Sequence, residues 1–290
     1  MTAGLAEAIA AQCGIRIDPS TWQSVGGGSI NRAARLSSDA GPLFLKTNRA
    51  DRLEMFAAEA EGLSELAAAD AVRVPGVHGW GVEGGRSWLL LEYLELSSPD
   101  ATCRRRLGER LAALHRHTAA RHGWHRDNTI GSTPQPNSPD DDWVRFLADR
   151  RLRFQLDLAI ENGYGSALSR DGERLLDALP AFFADYRPEP SLLHGDLWGG
   201  NFAACEGEPV IFDPAVYYGD RETDLAMTEL FGGFGGEFYA AYEEAWPLDA
   251  GYPVRRDLYQ LYHVLNHLNL FGGGYLGRAR SLVGRLLAAA

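Results

Sequence analysis

The alternation of apolar and polar residues divides the chain into a strand-rich N-terminal part and a helix-rich remainder. Apolar residues at helical spacing predict helices over residues 2–13 and 51–68. Period-two alternation on both sides of three glycines predicts a β-hairpin over residues 22–36. Short apolar runs predict three further strands, at residues 43–46, 72–75 and 88–94. The N-terminal third is therefore predicted to be built mainly from strands.

Beyond residue 95 the helical period dominates. Predicted helices cover residues 103–117, 143–160, 225–231 and 257–270. Residues 123–142 contain three prolines among polar residues and are predicted to be a loop; a polar loop of this length is more often functional than idle. The polar break at residues 95–99 indicates where an N-terminal lobe, residues 1–94, gives way to a C-terminal lobe, residues 95–290.

Residues 192–214 hold the most informative pattern. An apolar pair runs into His194-Gly195-Asp196, Asn201 follows, and a second apolar run ends in Asp213. A strand, a polar loop, a turn and a second strand aim these side chains at one point. An aspartate that accepts a proton, with an amide and a second carboxylate that hold a divalent cation, is the set that a phosphoryl transferase needs. The Asp-x-x-x-x-Asn spacing also matches the catalytic loop of kinases.

Two departures separate this stretch from protein kinases. Gly195 stands where their catalytic loop has arginine, and Pro214 follows Asp213 where they have Phe-Gly. The chain reaches Asp224 within a dozen residues of Asp213, which leaves no room for a peptide-docking activation segment. The acceptor is therefore expected to be a small molecule, or a small adduct on a flexible side chain. A plain tight turn with a strand-end cap is the alternative, which the order and spacing disfavour.

Lys46 is the only lysine in a chain with 28 lysine and arginine residues. It ends a predicted strand that follows the glycine hairpin, and this is the order found in kinases. A compact ammonium is not interchangeable with arginine beside phosphate oxygens. A glutamate of the following helix should pair with Lys46, and Glu59, in mid-helix, is favoured over Glu54. For each glutamate of that helix, a solvated helix face is the alternative.

The composition of the chain limits which partners it can bind and in which compartment it can work. The net charge of -11 argues against nucleic acid or an anionic membrane as the main partner. No apolar run reaches the ~20 residues that cross a bilayer, and the N-terminal stretch lacks the basic start of a signal peptide. Three cysteines without paired spacing fit a reducing compartment and no structural zinc. A cytoplasmic protein is expected.

The predicted helix 257–270 carries a polar stripe of His263, Asn266 and His267 on an otherwise apolar surface. Histidines at i and i+4 can bind zinc, but the sequence offers no HExxH motif and no evident third ligand. The stripe is therefore interpreted as a wall of the acceptor site.

These motifs together resemble the fructosamine kinase family, also called ketosamine-3-kinases. The matching segments span nearly the whole chain in the family's order and include GGGSINRA, FLKTN, GWHRDNTIGSTPQPN, LLHGDLWGGN and LYHVLNHLNLFGGGY. The resemblance implies an α+β, bilobal, protein-kinase-like fold, related to aminoglycoside and choline kinases, with a small antiparallel sheet lobe carrying a helix and a larger, mainly helical lobe. It also implies ATP- and Mg²⁺-dependent phosphorylation of the sugar 3-hydroxyl of free or protein-bound ketosamines, which leads to deglycation.

The resemblance also implies roles residue by residue. Asp196 becomes the general base, and Asn201 and Asp213 become the Mg²⁺ ligands. The implied ATP contacts are Gly26, Gly27, Gly28, Ser29, Lys46, Glu59, Glu92, Tyr93 and Leu94. The implied acceptor contacts are Trp198, Asp127, Asn128, His263, Asn266 and His267. His194 and Asp224 support the catalytic loop; Asp224 is expected to bond the loop backbone, with capping of helix 225–231 as the alternative.

Two other functions stay open from the sequence. One is a kinase of aminoglycoside, homoserine or choline-like acceptors, for which the acidic residues 140–142 offer charge. The other is an inactive nucleotide-sensing module, although intact Lys46, Asp196, Asn201 and Asp213 argue against it.

Overall fold

The computed structural model describes residues 2–26 and 30–290, and its N-terminal part is an antiparallel sheet. The strands are β1 Ile17–Val25, β2 Arg32–Ser38, β3 Gly41–Arg49, β4 Val77–Glu83 and β5 Arg86–Glu92. They pair in the order β1-β2-β3-β5-β4. Helix α1, Ala3–Cys13, and helix α2, Leu53–Ala68, pack against this sheet.

The side chains of the sheet alternate between its two faces, as a period of two requires. On β5, Trp88 and Leu90 join a hydrophobic cluster with α1, whereas Leu89 and Leu91 belong to the main core with α2. On β3 the same alternation turns Lys46 toward α2, where it contacts Glu59. The strand period therefore decides that the one lysine faces the helix that carries the glutamates.

The predicted strand at residues 72–75 is wrong. Arg73 makes only an isolated bridge to Val210, and β4 begins at Val77. Pro75 has no N–H to donate to a ladder. Gly76 O then accepts from Glu92 N at 2.8 Å, and regular pairing with β5 starts only beyond the proline.

Helices build most of the chain after residue 100. They are α3 Ala101–His115, α4 Trp143–Phe146, α5 Phe154–Ala159, α6 Gly165–Ala178, α7 Glu222–Leu230, α8 Gly236–Ala245, α9 Tyr252–Phe271 and α10 Leu276–Ala289. The π-helical segments Leu147–Arg153 and Ile160–Tyr164 join α4, α5 and α6 into one irregular path. Across residues 2–26 and 30–290, none of the helices combines the length and apolar character that crossing a membrane requires.

Helix α10 is absent from the sequence prediction, which ended with a helix at 257–270. The sequence does contain the pattern of this helix, because the apolar residues Ala279, Leu282, Val283 and Leu286 recur at helical spacing and are buried. The predicted 123–142 loop also contains a small hairpin of β6, Asn128–Ile130, and β7, Thr133–Gln135.

Two short strand pairs position the catalytic stretch. Strand β8, Ser191–Leu193, pairs with β11, Tyr217–Gly219, and β9, Phe202–Cys205, pairs with β10, Glu208–Ile211. The predicted order of strand, loop, strand and acid is confirmed here. With the antiparallel sheet before them and the helices around them, these pairs complete the predicted α+β architecture.

Candidate active site

A cleft of about 560 Å³ lies between the sheet and the helical part. Phe44 and Lys46 line it from the sheet, and Asp196, Asn201 and Asp213 line it from the catalytic stretch. The structure therefore brings together the lysine and the three polar residues that the sequence pattern singled out.

The turn before Asp196 depends on glycine. Gly195 has a φ of 83°, in the left-handed region that other residues rarely adopt. A Cβ built on Gly195 lies 2.0 Å from Ala215 O, closer than any side chain tolerates. Protein kinases have arginine at the position of Gly195. Here only glycine fits, because the backbone of the loop passes directly over the segment that follows Asp213.

His194 supports this turn from inside the protein. Its Nε2 lies 2.9 Å from Phe212 O, and Asp196 N–H donates to its Nδ1 over 3.2 Å. Only the neutral tautomer with its hydrogen on Nε2 satisfies both bonds. Burial also lowers the pKa of His194, which favours the same neutral form.

Asp224 fixes the backbone of the turn. It is fully buried, and its carboxylate accepts hydrogen bonds from His194 N at 2.8 Å and Gly195 N at 2.9 Å. This is the contact that the sequence analysis expected. The alternative, a cap of helix 225–231, is wrong because α7 begins at Glu222 and already includes Asp224.

His115 is a site residue that the sequence analysis missed. Its Nε2 lies 3.2 Å from Asp224 Oδ2, and its Nδ1 lies 2.8 Å from Tyr242 OH. Burial opposes ionisation of Asp224, but the hydrogen bond and charge of His115 outweigh it, and the pKa of Asp224 is lowered. His115 ends α3, 109 positions before Asp224, so no local spacing predicts this contact.

Asp196 is half-buried in the cleft. Burial raises its pKa to about 7, the charges of Asp213 and Asp224 add to this effect, and Asn201 Nδ2, 3.4 Å from Oδ2, opposes it. A carboxyl group with a pKa near neutrality is a better proton acceptor than an ordinary aspartate.

Asn201 and Asp213 offer the oxygen ligands that a hard divalent cation takes. The amide nitrogen of Asn201 donates back into the loop, to Asp196 O at 2.9 Å and Asp213 O at 3.4 Å, which leaves its oxygen as the ligand atom. The side chain of Asp213 is 50% exposed, and only its Oδ1 contacts Lys46. The donor set therefore fits Mg²⁺.

Lys46 connects the sheet to two carboxylates. Its Nζ lies 2.5 Å from Glu59 Oε1 and 2.6 Å from Asp213 Oδ1. Burial opposes the charge, but Asp213 and Glu59 outweigh it, and the pKa of Lys46 is raised. The ammonium therefore stays protonated. Glu59 is the glutamate that the sequence analysis favoured, while Glu54 contacts Arg126 instead.

Besides Lys46 and Glu59, four of the predicted ATP contacts line the cleft: Gly26, Glu92, Tyr93 and Leu94. Glu92 N–H is already bonded to Gly76 O, and its carboxylate accepts from Arg73 Nη2 at 2.9 Å. The backbone N–H and the carboxylate of Glu92 are therefore both engaged within the protein. The other predicted contacts in the hairpin, Gly27, Gly28 and Ser29, lie outside the described residues.

Four of the six predicted acceptor contacts also line the cleft: Asn128, Trp198, Asn266 and His267. Trp198 is 39% exposed and meets Phe231 edge-on at a centroid distance of 6.1 Å. Its ring lies over Gly200, where an added Cβ would sit only 2.3 Å from it. Glycine thus lets the loop fold under an indole that is presented to the cleft.

The other two do not line the cleft. Asp127 is exposed, and its carboxylate accepts from Asn137 N at 2.7 Å, so it stabilises its own loop. His263 is buried, and neither ring nitrogen finds a hydrogen-bond partner among the described residues. Burial lowers its pKa to about 3. Neither residue belongs to the acceptor site that we propose.

The acidic residues 140–142 do not form an acceptor groove. Asp140 pairs with Arg145, Asp141 accepts from Arg121 Nε at 2.7 Å, and Asp142 accepts from Arg145 N at 3.0 Å at the start of α4. These contacts neutralise the acids or use them as caps. The charge argument for a polycationic acceptor is therefore wrong.

The chain is similar to known kinases along its whole length. The fructosamine kinase family model matches residues 1–289. A probable ketoamine kinase of Synechocystis sp. is 46% identical over 267 residues, 91% of this chain and 90% of the relative. A chloroplastic protein-ribulosamine 3-kinase of Arabidopsis thaliana is 44% identical over 264 residues, 90% of this chain and 80% of the relative.

Solved structures agree on the fold. A crystal structure from Thermobifida fusca, assigned as a fructosamine-3-kinase, superposes with a TM-score of 0.88 at 32% identity and covers 100% of both chains. An aminoglycoside phosphotransferase in complex with ADP and hygromycin B has a TM-score of 0.66 at 15% identity, with 99% and 98% coverage, and shows the fold alone. The fold is the bilobal, protein-kinase-like one, and the chain belongs to the fructosamine kinase family.

Proposed function

We propose that the protein transfers the γ-phosphoryl group of ATP to the 3-hydroxyl of a ketosamine sugar. The observation that carries this proposal is the convergence of Lys46, Asp196, Asn201 and Asp213 on one cleft in a member of a kinase family. Residues 1–94 form the nucleotide-binding lobe in this proposal, and residues 95–290 form the lobe that binds the acceptor.

The nucleotide lies along the sheet side of the cleft in this proposal. Adenine bonds to the backbone around Tyr93 and Leu94, and the phosphates extend from there toward Lys46, all three residues lining the cleft. Lys46, held in place by Glu59, donates to phosphate oxygens. Asn201 and Asp213 hold Mg²⁺, which when bound neutralises charge on the phosphates.

Asp196 acts as the general base in this proposal. As the sugar hydroxyl attacks the γ-phosphorus, its proton passes to the Asp196 carboxylate, and the bond from that phosphorus to the bridging oxygen of ADP breaks. The raised pKa of Asp196 supports this role, because a base works best when its pKa lies near the pH of the reaction. His194 and Asp224 hold the turn that aims the carboxylate.

The acceptor is a ketosamine in this proposal, because relatives that share most of the chain carry the names ketoamine kinase and protein-ribulosamine 3-kinase. Trp198 packs against the sugar, with Asn266 and His267 as the adjacent wall. Loss of the phosphorylated adduct then frees the amine, which makes the reaction a repair step. All three cysteines are free, which supports a reducing compartment such as the cytoplasm.

The test is ADP release from Mg-ATP with ribulose-lysine, erythrulose-lysine, fructose-lysine and kanamycin as acceptors. We expect turnover on at least one ketosamine and none on kanamycin. Asp196→Asn should lower turnover about 10²–10⁴-fold with nucleotide affinity kept, since a general base contributes about that much.

Asp127→Asn is the matched control, because it removes an exposed carboxylate that does not line the cleft. Turnover on kanamycin alone would contradict the proposed acceptor. A loss below about tenfold in Asp196→Asn would show that Asp196 is not the base.

A further inference from the structure

The acidic residues of α2 have separate partners on opposite sides of the helix. Glu59 faces the cleft and pairs with Lys46. Glu61, two positions on, lies on the other side of the helix and accepts from Arg126 Nη1 at 2.6 Å. Arg126 Nη2 also donates to Glu54 at 2.6 Å, but Glu54 is 82% exposed and solvent screens that pair. Arg126 therefore holds α2 mainly through Glu61.

Two further contacts bind the outer side of α2 to the C-terminal part of the chain. His125, next to Arg126, has its Nε2 2.9 Å from Glu61 Oε2. Tyr218 OH donates to Glu65 Oε1 at 2.6 Å, one turn further along the helix. The helix that carries Glu59 is thus held from two sides, by the sheet and by the 123–142 loop with β11.

Arg126 is itself held by a buried network. Its backbone oxygen accepts from Asn137 Nδ2 at 3.1 Å, and Asn137 Oδ1 accepts from Arg151 Nη2 at 2.7 Å. Arg151 is fully buried and lies 4.0 Å over the ring of Tyr217. Arg151 Nη1 also donates to Pro136 O at 2.6 Å, whereas its Nε has no partner among the described residues. The buried guanidinium thus anchors residues 136–137, and through Asn137 the backbone of Arg126, to the core.

The same loop contacts the segment that follows Asp213. Asn128 Nδ2 donates to Val216 O at 2.8 Å, and Gln135 Nε2 donates to Ala215 O at 3.1 Å. Asn128 also lines the cleft. The 123–142 loop therefore contacts both the helix that carries Glu59 and the segment that follows Asp213.

We propose that Arg126 is a positioning residue that holds α2, through Glu61, so that Glu59 keeps Lys46 directed at the nucleotide. The proposal rests on the proposed function only for the role of Lys46 in nucleotide binding. It gives the 123–142 loop a function: it couples the acceptor side of the cleft to the phosphate-anchoring pair.

The test compares Arg126→Ala, Glu61→Gln and the double variant. The first measurement is the affinity for Mg-ADP by calorimetry, without acceptor. The second uses the only lysine: an amine-reactive reagent modifies Lys46 and the N-terminal amine alone, so peptide mass spectrometry follows Lys46 directly. We expect both single variants to weaken Mg-ADP binding about tenfold and to speed modification of Lys46 by a similar factor, as for residues in one ion-pair network.

The double variant should be no weaker than either single variant, because both remove the same contact. Arg126→Lys, whose single ammonium can contact Glu61 without the fixed geometry of the guanidinium, should give an intermediate affinity. Two matched controls, Glu54→Gln on the same helix and Arg121→Ala, which removes the ion pair to Asp141 of the loop, break exposed contacts and should change both measurements by less than about twofold.

A lower melting temperature in Arg126→Ala, with Mg-ADP affinity and Lys46 reactivity unchanged, would overturn the proposal and leave Arg126 a purely structural residue. Additive effects of the Arg126 and Glu61 variants would overturn it as well. Neither measurement uses an acceptor. If the wild type phosphorylates no ketosamine yet the variants show the expected effects, the proposed function fails and the positioning role stands.

Discussion

Asp196 and Asp224 carry the same carboxyl group, but their surroundings shift its pKa in opposite directions. Both carboxylates lie beside the catalytic turn, and burial opposes ionisation of both. Asp224 accepts from His194 N, Gly195 N and His115 Nε2, and its pKa is lowered. Asp196 accepts from Asn201 at a longer distance, faces the charge of Asp213, and has a pKa raised to about 7.

The two carboxylates differ in pKa because they accept different numbers of hydrogen bonds. Three donors hold Asp224 in its ionised form, so it can only orient the backbone around it. Asp196 has one weak donor, and its environment leaves it ready to take a proton. When environments push the pKa values of two acids apart, their roles separate as well. Asp224 is thus suited to support and Asp196 to proton transfer, and the following variants test that separation.

Asp224→Asn should have the largest effect on stability. An asparagine keeps one acceptor oxygen, but its amide faces a backbone N–H or His115, so at least one buried donor loses its partner. We expect the free energy of unfolding to fall by about 3 kcal/mol, and turnover of the folded enzyme to fall as the turn loosens. Urea unfolding and kinetics at pH 8 measure the two effects.

Glu222→Gln is the matched control for Asp224→Asn. Glu222 is equally buried, lies two residues earlier on α7, and pairs with Arg255 through both carboxylate oxygens. Its loss should lower stability but leave turnover per folded molecule nearly intact, because it does not bond the catalytic turn. Equal losses of turnover in both variants would show that any buried acid of α7 has the same effect.

The part of the site within residues 192–214 could be predicted from the sequence because its members are close along the chain. Local strand and turn geometry fixes where Asp196, Asn201 and Asp213 point. The partners of His115 and Arg126 lie 109 and 65 positions away, and only tertiary packing brings them together. In the sequence alone, His115 is only a histidine at the end of a predicted helix, and Arg126 is only a charged residue in a predicted loop.

The fold, like the site, could be predicted from the sequence only in part. Periodicity located the sheet and most helices, because each has one buried face. The strand at 72–75 was predicted wrongly although the sequence shows Pro75, whose missing N–H argues against a strand at that position. His263 was assigned to the acceptor site as part of the polar stripe with Asn266 and His267, and Asp127 was assigned to it by the resemblance. Their side chains point elsewhere, which depends on the neighbouring elements and not on local sequence.

The raised pKa of Asp196 predicts a pH effect of about tenfold. kcat/KM reports the free enzyme, so its value for the nucleotide should fall about tenfold from its plateau by pH 6, as Asp196 takes up a proton. A cation held by Asp213 cancels one cause of the raised pKa, so the acid limb of kcat should lie at lower pH.

The control for this profile is the residual activity of Asp196→Asn. ATP itself titrates in the same range, and its contribution remains in the variant while the limb due to Asp196 disappears. Identical acid limbs in the wild type and the variant would assign the pH dependence to the nucleotide.

The smallest expected effect is a gain of stability in Asp196→Asn. The pKa of Asp196 is about 7 in the folded protein against an ordinary value of 3.8. Ionisation therefore destabilises the fold: the penalty is absent below pH 4, grows between pH 4 and 7, and is complete above that window. At pH 8 the variant should be more stable by about 1 kcal/mol, less than the full linkage value because solvent reaches the carboxylate. Urea unfolding at pH 8 and pH 4 measures this gain, and the difference between the wild type and Asp196→Asn should appear only at pH 8.

In the same experiment, Asp224→Asn should lower the free energy of unfolding instead of raising it. If both variants lost stability at pH 8, the two carboxylates would occupy equivalent environments, and the contrast that assigns their roles would be lost.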